Sequence, residues 1–200
     1  MAVSNTVSIR FHLDEKADIV ENLNKELLDQ ALVDHKVNKS HLPLVTALKV
    51  TPSDAEIDSI LSILKPSLKK IGSEIPALDI RFQGIGTFYH SGGNRDNCVV
   101  FLEPSVTPMM RKIHSEIHSL LQIALSSSQA QIDKYTTPQY YSPHLTIAKR
   151  VRRENFPEVL RQVNKWALEG PFDIPQGVKK VFTSSVTCLA LKIKNYKGEG

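Results

Sequence analysis

Two short segments of the sequence each open on a histidine and continue with the alternation of a β-strand. SHLPL begins at residue 40, and PHLTI begins at residue 143, roughly half a chain later. Successive side chains of a strand point to opposite faces. His144 and Thr146 should therefore share one face. Leu145 and Ile147 should point the other way, into a core. A strand of this kind in each half of the chain predicts two similar halves.

Residue spacing elsewhere divides the chain into strand-like and helix-like segments. Period-two alternation predicts strands over 6–13, 41–50, 77–90, 98–104 and 144–148, and one or two strands over 178–194. Apolar residues three and four apart predict helices over 14–32, 51–72, 105–125 and 154–170. Pro66 should kink or end the second helix. Residues 126–143 form a polar loop of a length that is uncommon unless functional.

Length and composition are typical of an ordinary globular protein. With 200 residues, 41% hydrophobic and 23% charged, we expect a single soluble domain over residues 1–200. A net charge of +4 fits a phosphate-bearing ligand, although surface lysines give the same balance. Cys98 and Cys188 lie in apolar strand-like segments and are predicted to be buried free thiols of a reducing compartment. Without a signal peptide or a transmembrane segment, we expect a cytoplasmic or nuclear protein with no membrane partner.

The two histidines, His41 and His144, each stand at the head of a predicted strand. If a pseudo-two-fold axis relates the two halves, both side chains face one cleft. Such a pair suits general acid–base catalysis, because an imidazole pKa of ~6.5 lets one ring be neutral and the other protonated near neutral pH. One ring would activate water or a hydroxyl, and the other would protonate the leaving oxygen. Thr146, on the face of His144, could bind a non-bridging phosphate oxygen.

The repeated pattern H-x-[ST]-x at this spacing resembles that of the 2H phosphoesterase superfamily, which includes 2′-5′ RNA ligase-like and cyclic phosphodiesterase-like proteins. The second motif, HLTI, is complete. The similarity covers most of the chain. VSIRFHLDEKADIVENLNKELL resembles the family's first strand and helix, IRFQGIGTFYHSGGNRDNCVVFLEPS its strand–loop–strand hairpin, and YYSPHLTIAKR its second motif.

The resemblance implies an α+β fold of two pseudo-symmetric lobes, each an antiparallel sheet with flanking helices, around a central cleft. It also implies a metal-independent hydrolase with no cofactor, acting on nucleotide or RNA phosphodiesters: 2′,3′-cyclic phosphates or 2′-5′ linkages. His41 and His144 would be the general acid and base, in an order that the sequence leaves open, and Thr146 would hold the phosphate. No obligatory protein partner is evident from the sequence, so we expect a monomer.

The first motif reads HLPL, with Pro43 where the family has Thr or Ser. Proline has neither a hydroxyl nor a backbone N–H, and a lost donor to a developing oxyanion costs ~10²–10³ in rate. Thr46 is near, but alternation places it on the face opposite His41 unless a β-bulge intervenes. The chain is therefore an enzyme, with weakened activity or an altered pocket, or a nucleotide- or RNA-binding module with weak or no catalysis. A scaffold with idle histidines is a third alternative.

Residues on both sides of the second motif are candidates for substrate binding. Tyr140 and Tyr141 precede it and could either stack on a base or pack under the long loop. The position of Tyr141 beside the motif favours contact with substrate. Lys149 and Arg150 follow the motif. They could steer RNA toward the cleft, or they could form a solvated strand end.

A third pair of residues, His114 and His118, has a spacing that metal ligands on a helix can have. However, HSEIH is not H-E-x-x-H, and no Cys or His cluster completes a zinc site. The apolar stripe that begins at Ile113 already defines the buried side of this helix. We therefore expect both histidines on the surface and no metal site. Phe88 and Trp166 are predicted to be core residues.

Overall fold

The computed structural model of the protein describes residues 4–37, 41–50, 54–75, 78–90, 97–127, 130–169 and 182–196. The strands are β1 (Ser4–Leu13), β2 (His41–Val50), β3 (Asp79–His90), β4 (Asn97–Pro104), β5 (Gln131–Ile132), β6 (Leu145–Arg152) and β7 (Phe182–Tyr196). The helices are α1 (Asp18–Asp29), α2 (Asp54–Glu74), α3 (Pro108–Ala124) and α4 (Phe156–Glu169). The predicted order of strands and helices is confirmed, and β5 is an addition to it.

The second helix does not end at Pro66, one of the two predicted outcomes, since α2 continues through Pro66 to Glu74. A proline inside a helix removes one backbone hydrogen bond. Pro66 itself is exposed, and the neighbouring side chains of Leu64 and Leu68 are buried in the core. Packing of this apolar side therefore maintains the helix across the proline.

The long polar loop also contains regular structure. Gln131 and Ile132 form β5, which pairs with Leu48 and Ala47 of β2. A single 3₁₀ turn, Lys134–Thr136, follows and is capped by the Asp133 side chain, which accepts a hydrogen bond from the Tyr135 backbone at 3.0 Å. The loop is therefore held to the sheet before it reaches the second motif.

Within the described residues, seven strands form one antiparallel sheet in the order β5-β2-β1-β7-β3-β4-β6. β7 joins its two halves, because residues 182–185 pair with β3 and residues 186–196 pair with β1. One half is β5-β2-β1-β7 and the other is β6-β4-β3-β7. Counted from β7, the motif strand β2 is the second strand of its half, beside β1, and the motif strand β6 is the third of the other half, beside β4. The α+β fold with two similar sheet lobes is thereby confirmed.

One face of the sheet carries the hydrophobic core. Residues of this face are buried on strand after strand: Val7, Ile9, Phe11, Leu13, Ile80, Phe82, Val100, Leu102 and Leu145. The residues that alternate with them lie on the other face, which we call the site face. Cα pairing places Ser8, Arg10, His12, Gly86, Phe101 and Thr146 on the site face.

The helices connect the two halves. α1 follows β1 in the chain but packs on β6, and α3 follows β4 but packs on β2. The fully buried side chain of Asn24 on α1 donates from Nδ2 to the carbonyl of Ile147 at 3.0 Å and accepts at Oδ1 from the Val37 backbone N–H at 2.8 Å. His41 is the fourth residue after Val37, and four Cα–Cα steps span at most about 14 Å. The start of β2 is therefore tethered near β6.

The two cysteines differ in environment, and neither is in a disulfide. Cys98 is buried, as predicted, whereas the prediction that Cys188 is buried is wrong. Cys188 pairs with His12 and so lies on the site face rather than the core face. The helices among the described residues are all too short or too polar to cross a membrane.

Candidate functional site

His144 lies directly before β6, at the end of the loop that passes over α3. Pro143 beside it is buried, which fixes the entry of the chain into the strand. The His144 Nδ1 atom lies 3.1 Å from the carbonyl oxygen of Ser142. A carbonyl oxygen only accepts hydrogen bonds, so Nδ1 carries the proton that is donated to it. The neutral ring therefore presents an unprotonated Nε2, the form that can accept a proton.

Two aromatic rings surround the His144 imidazole. The Phe88 ring centroid lies 5.0 Å away, with its plane at 84° to the imidazole, and that of Phe101 lies 4.9 Å away. The two phenyl rings pack on each other at 4.3 Å. This apolar environment lowers the pKa of His144 below its usual 6.5, because burial disfavours the charged imidazolium, while the Ser142 carbonyl opposes the shift. His144 is therefore neutral near pH 7.

Gly86 provides the space for this aromatic cluster. It pairs with Phe101 across β3 and β4. A Cβ atom at Gly86 would overlap the Phe101 ring, with the Cζ atom only 2.6 Å away, and would also overlap the Glu103 carboxylate. The Phe101 ring can occupy its position only because Gly86 has no side chain, and the position of the His144 ring depends on Phe101 in turn.

Thr146 lies on the site face two residues after His144. It pairs with Phe101 and is half-buried, whereas Leu145 and Ile147 on either side are buried in the core. The alternation predicted from PHLTI is thereby confirmed. Phe101 and Val100 are adjacent, yet they pair with Thr146 and Ala148, so β6 contains a bulge at Ile147.

His41 is the first residue of β2. It pairs with His12 of β1, and Pro43 pairs with Arg10, so both positions belong to the site face. Arg10 and Ile9 are adjacent but pair with Pro43 and Val45, so β2 has a bulge at Leu44. Each motif strand is thus bulged at the third residue after its histidine. The pseudo-symmetry suggested by the sequence extends to this backbone detail.

This bulge changes the placement of Thr46. The sequence places Thr46 opposite His41 unless a bulge intervenes, and the bulge at Leu44 is that exception, because the extra residue reverses the alternation. Thr46 pairs with Ser8 and belongs to the site face. Thr46 is nevertheless too far along the strand to replace the motif hydroxyl. The motif position is that of Pro43, opposite Arg10, whereas Thr46 lies opposite Ser8, the next site-face residue of β1.

The site face of β1 carries a cation. The Arg10 Nε atom donates to Ser8 Oγ at 2.7 Å, and Ser8 is only 3% exposed. Burial lowers the pKa of the Arg10 guanidinium, which remains charged at neutral pH. The half-buried His12 follows on the same face, opposite His41. The part of the site face on β1 is therefore suited to anions.

The Tyr141 side chain is more buried than expected for a residue that stacks on a substrate base. Its ring is 9% exposed and stacks on the His114 ring at 3.8 Å. Its buried hydroxyl makes no hydrogen bond with the residues that the structure describes, and burial raises the pKa of the Tyr141 phenol. The neighbouring Tyr140 is 55% exposed. The structure places Tyr141 between α3 and the second motif, with one ring face covered by His114.

The prediction that His114 and His118 lie on the surface is wrong. They are 1% and 8% exposed, because the loop after β5 covers this side of α3. The His114 Nε2 atom donates to the Thr136 carbonyl at 2.8 Å. Burial lowers the pKa of both imidazoles, so they are neutral near pH 7. His114 thereby anchors the loop to α3, and His118 packs beside it.

Lys149 and Arg150 are exposed at the end of the second motif. Arg150 has a positive φ of 55°, and the strand pairing is irregular here, since Cys98 and Val100 pair with Val151 and Ala148. The Arg150 Nη1 atom donates to His35 Nε2 at 2.9 Å. Arg150 therefore contacts the segment that leads into β2.

Sequence reasoning missed part of this site. The prediction that Phe88 is a core residue is wrong, because its half-buried ring packs on His144 at the site face. Phe101 alternates with the core residues Val100 and Leu102 in the sequence, and this alternation could have identified it as a site-face residue. Arg10 alternates with Ile9 and Phe11 in the same way. Trp166 packs against the core as predicted.

Comparison with known proteins identifies the family of the chain. Among the described residues, no group of three or more His, Cys, Asp or Glu side chains is arranged to hold a metal ion. The search of curated proteins gave no match. The family model of the 2′-5′ RNA ligase superfamily matches residues 13–176, which include both histidine motifs. The chain therefore belongs to the 2′-5′ RNA ligase superfamily, which is the 2H phosphoesterase superfamily.

Proposed function

We propose that this protein is a metal-independent phosphodiesterase that cleaves nucleotide or RNA phosphodiester bonds, either 2′,3′-cyclic phosphates or 2′-5′ linkages. The observation that carries the proposal is the placement of His144 beside Thr146, with its ring against Phe88 and Phe101 and its Nδ1 atom 3.1 Å from the Ser142 carbonyl, which leaves Nε2 to accept a proton. Membership of a superfamily that acts on RNA and nucleotide substrates supports it.

In this proposal His144 is the general base and His41 is the general acid. Nε2 of His144 takes a proton from the attacking water as its oxygen bonds to phosphorus. His41 gives its proton to the ribose oxygen as the phosphorus–oxygen bond breaks. The Thr146 hydroxyl donates to a non-bridging oxygen, where negative charge develops in the transition state. The net reaction adds one water across the phosphodiester bond, and no metal or cofactor takes part.

The other predicted residues have supporting roles in the proposal. Lys149 and Arg150 attract the phosphate backbone beside the site. Tyr141 fixes the loop that positions His144, through its ring contact with His114. The two free thiols support a reducing location, cytosolic or nuclear, for a protein that works as a monomer.

Turnover with EDTA present throughout tests the proposal. The substrates are 2′,3′-cyclic nucleotides, 2′-5′ oligoadenylate and short 3′-5′ RNA. The proteins are wild type, His41→Ala, His144→Ala and the control His118→Gln, which changes a histidine outside the site face. We expect one substrate class to be cleaved by wild type and the control, and by neither alanine variant. Nucleotide binding without turnover by wild type would instead favour a binding module, the alternative that Pro43 raises.

A further inference from the structure

The two motif strands share a bulge but differ in the partner of the residue that should bind phosphate. Thr146 of the complete motif pairs with Phe101, an apolar residue. Pro43 of the altered motif pairs with Arg10. The lobe that lacks the hydroxyl thus has a guanidinium on the neighbouring strand, at the matching register position.

The geometry of Arg10 suits a phosphate contact. Paired residues of an antiparallel sheet lie side by side on one face, so Arg10 projects from the site face next to Pro43. The Nε donation to Ser8 Oγ at 2.7 Å orients the planar guanidinium. A guanidinium has five N–H donors in a fixed fork that matches two phosphate oxygens. Partial burial strengthens its electrostatic interaction with an anion.

We propose that Arg10 makes the phosphate contact that Pro43 cannot make, so that the first lobe binds a non-bridging oxygen through a guanidinium instead of a motif hydroxyl. This inference rests on the proposed function and adds a binding residue to it. A cation in this place favours the developing dianionic phosphorane over the monoanionic diester. Arg10 should therefore contribute more to kcat than to KM.

Binding of adenosine 2′-monophosphate and 3′-monophosphate, measured by calorimetry in EDTA, tests the contact without turnover. We expect Arg10→Met to weaken binding about 10–100-fold, because a charge-assisted hydrogen bond is lost. Arg10→Lys should be intermediate, since it keeps the charge without the fork. Arg161→Met removes the same charge from an exposed ion pair on α4 and should bind as wild type does. Should Arg10→Met fail to fold, Arg10→Lys carries the test.

A second variant tests whether Arg10 substitutes for the missing hydroxyl. Pro43→Thr should restore about tenfold or more of the phosphate affinity in the Arg10→Met background and change wild type little. Thr46→Val should leave binding unchanged, because Thr46 pairs with Ser8 rather than with Arg10.

Equal affinity of wild type and Arg10→Met, including no detectable binding by either, overturns the inference. The proposed function is judged separately by the turnover that His144→Ala abolishes. If that turnover is present and Arg10→Met retains it in full with unchanged affinity, the inference fails and the proposed function stands.

Discussion

At the scale of single residues, the site depends on the environment of one imidazole, that of His144. The His144 imidazole packs against two phenyl rings, and a backbone carbonyl accepts the proton of its Nδ1. The rings keep the imidazole neutral, and the carbonyl selects the tautomer. The phenyl rings are distant from His144 in sequence, and the carbonyl belongs to the backbone. The motif sequence alone therefore predicts neither the neutral state nor the tautomer.

The pH dependence of kcat/KM should report the altered His144. A general base must be unprotonated, and burial lowers the pKa of His144 below 6.5. Activity is therefore lost only as pH falls through this lowered pKa, so the acidic limb of the profile should lie below pH 6.5. Phe88→Ser, which hydrates the imidazole, should move the limb upward toward the value of free histidine. An acidic limb above pH 7 in wild type would contradict this assignment.

Gly86→Ala should reduce activity by disturbing Phe101. The added methyl group overlaps the Phe101 ring, which packs on the buried side of the site. Overpacking of this kind costs about 1–3 kcal/mol, and displacement of the base by about 1 Å can cost ~10² in rate. Gly84→Ala is the matched control on the same strand, because its Cβ meets only the flexible Glu103 carboxylate at 3.1 Å. Equal effects of the two substitutions on kcat would refute the prediction.

At the scale of secondary-structure elements, β2 and β6 were predictable as strands but not in their detail. The alternation in PHLTI correctly assigns the faces of β6. In β2 it fails beyond Pro43, because the bulge at Leu44 reverses the faces. A bulge is set by pairing with the neighbouring strand, and that neighbour is unknown until the strand order is known. For the same reason Arg10 and Phe101 could be assigned to a face but not to a site.

The tether between α1 and β6 should stabilise both the fold and the site. Asn24 is fully buried, and its amide bonds to Ile147 and Val37. Asn24→Leu leaves these backbone groups unpaired, which costs about 1–3 kcal/mol for each group. We expect urea unfolding to show a loss of about 3 kcal/mol. Activity should fall as well, because His41 follows the tethered segment.

Asn155→Leu is the matched control for this tether. Its side chain is only half-buried and donates a single hydrogen bond, to the Leu32 carbonyl at 3.1 Å. Its loss of stability should be no more than about 1 kcal/mol. An Asn24 variant as stable as the Asn155 variant would show that the tether contributes little.

At the scale of the whole molecule, most of the element order followed from the sequence, but the association of the two halves did not. The sequence predicts one or two final strands, and the structure shows one strand that pairs with both halves in turn. Periodicity identifies strands but carries no information on their partners. The two lobes follow from the resemblance to the superfamily, whereas the packing of α1 and α3 across them is visible only in the structure.

The junction in β7 should make the two halves unfold together. Ser184 is fully buried at the point where β7 passes from β3 to β1, and its Oγ donates to the Asp14 carboxylate at 2.6 Å. The Asp14 backbone N–H in turn donates to the Ser185 carbonyl at 2.9 Å. The core residues of both halves also form one continuous cluster. Loss of contacts at this junction should therefore destabilise both halves of the molecule.

Ser184→Ala should lower the free energy of unfolding by about 2 kcal/mol, the usual contribution of a buried hydrogen bond to a charged acceptor. Urea curves from Trp166 fluorescence on α4 and from far-ultraviolet circular dichroism should shift together and remain superimposable. Ser185→Ala, which removes a more exposed hydrogen bond to Asp79, should cost less than about 1 kcal/mol. Separate transitions for the two probes, in wild type or in Ser184→Ala, would mean that β7 does not couple the halves. Superimposable transitions would mean that a change in one lobe alters the population of folded sites in both, since each lobe supplies one histidine position.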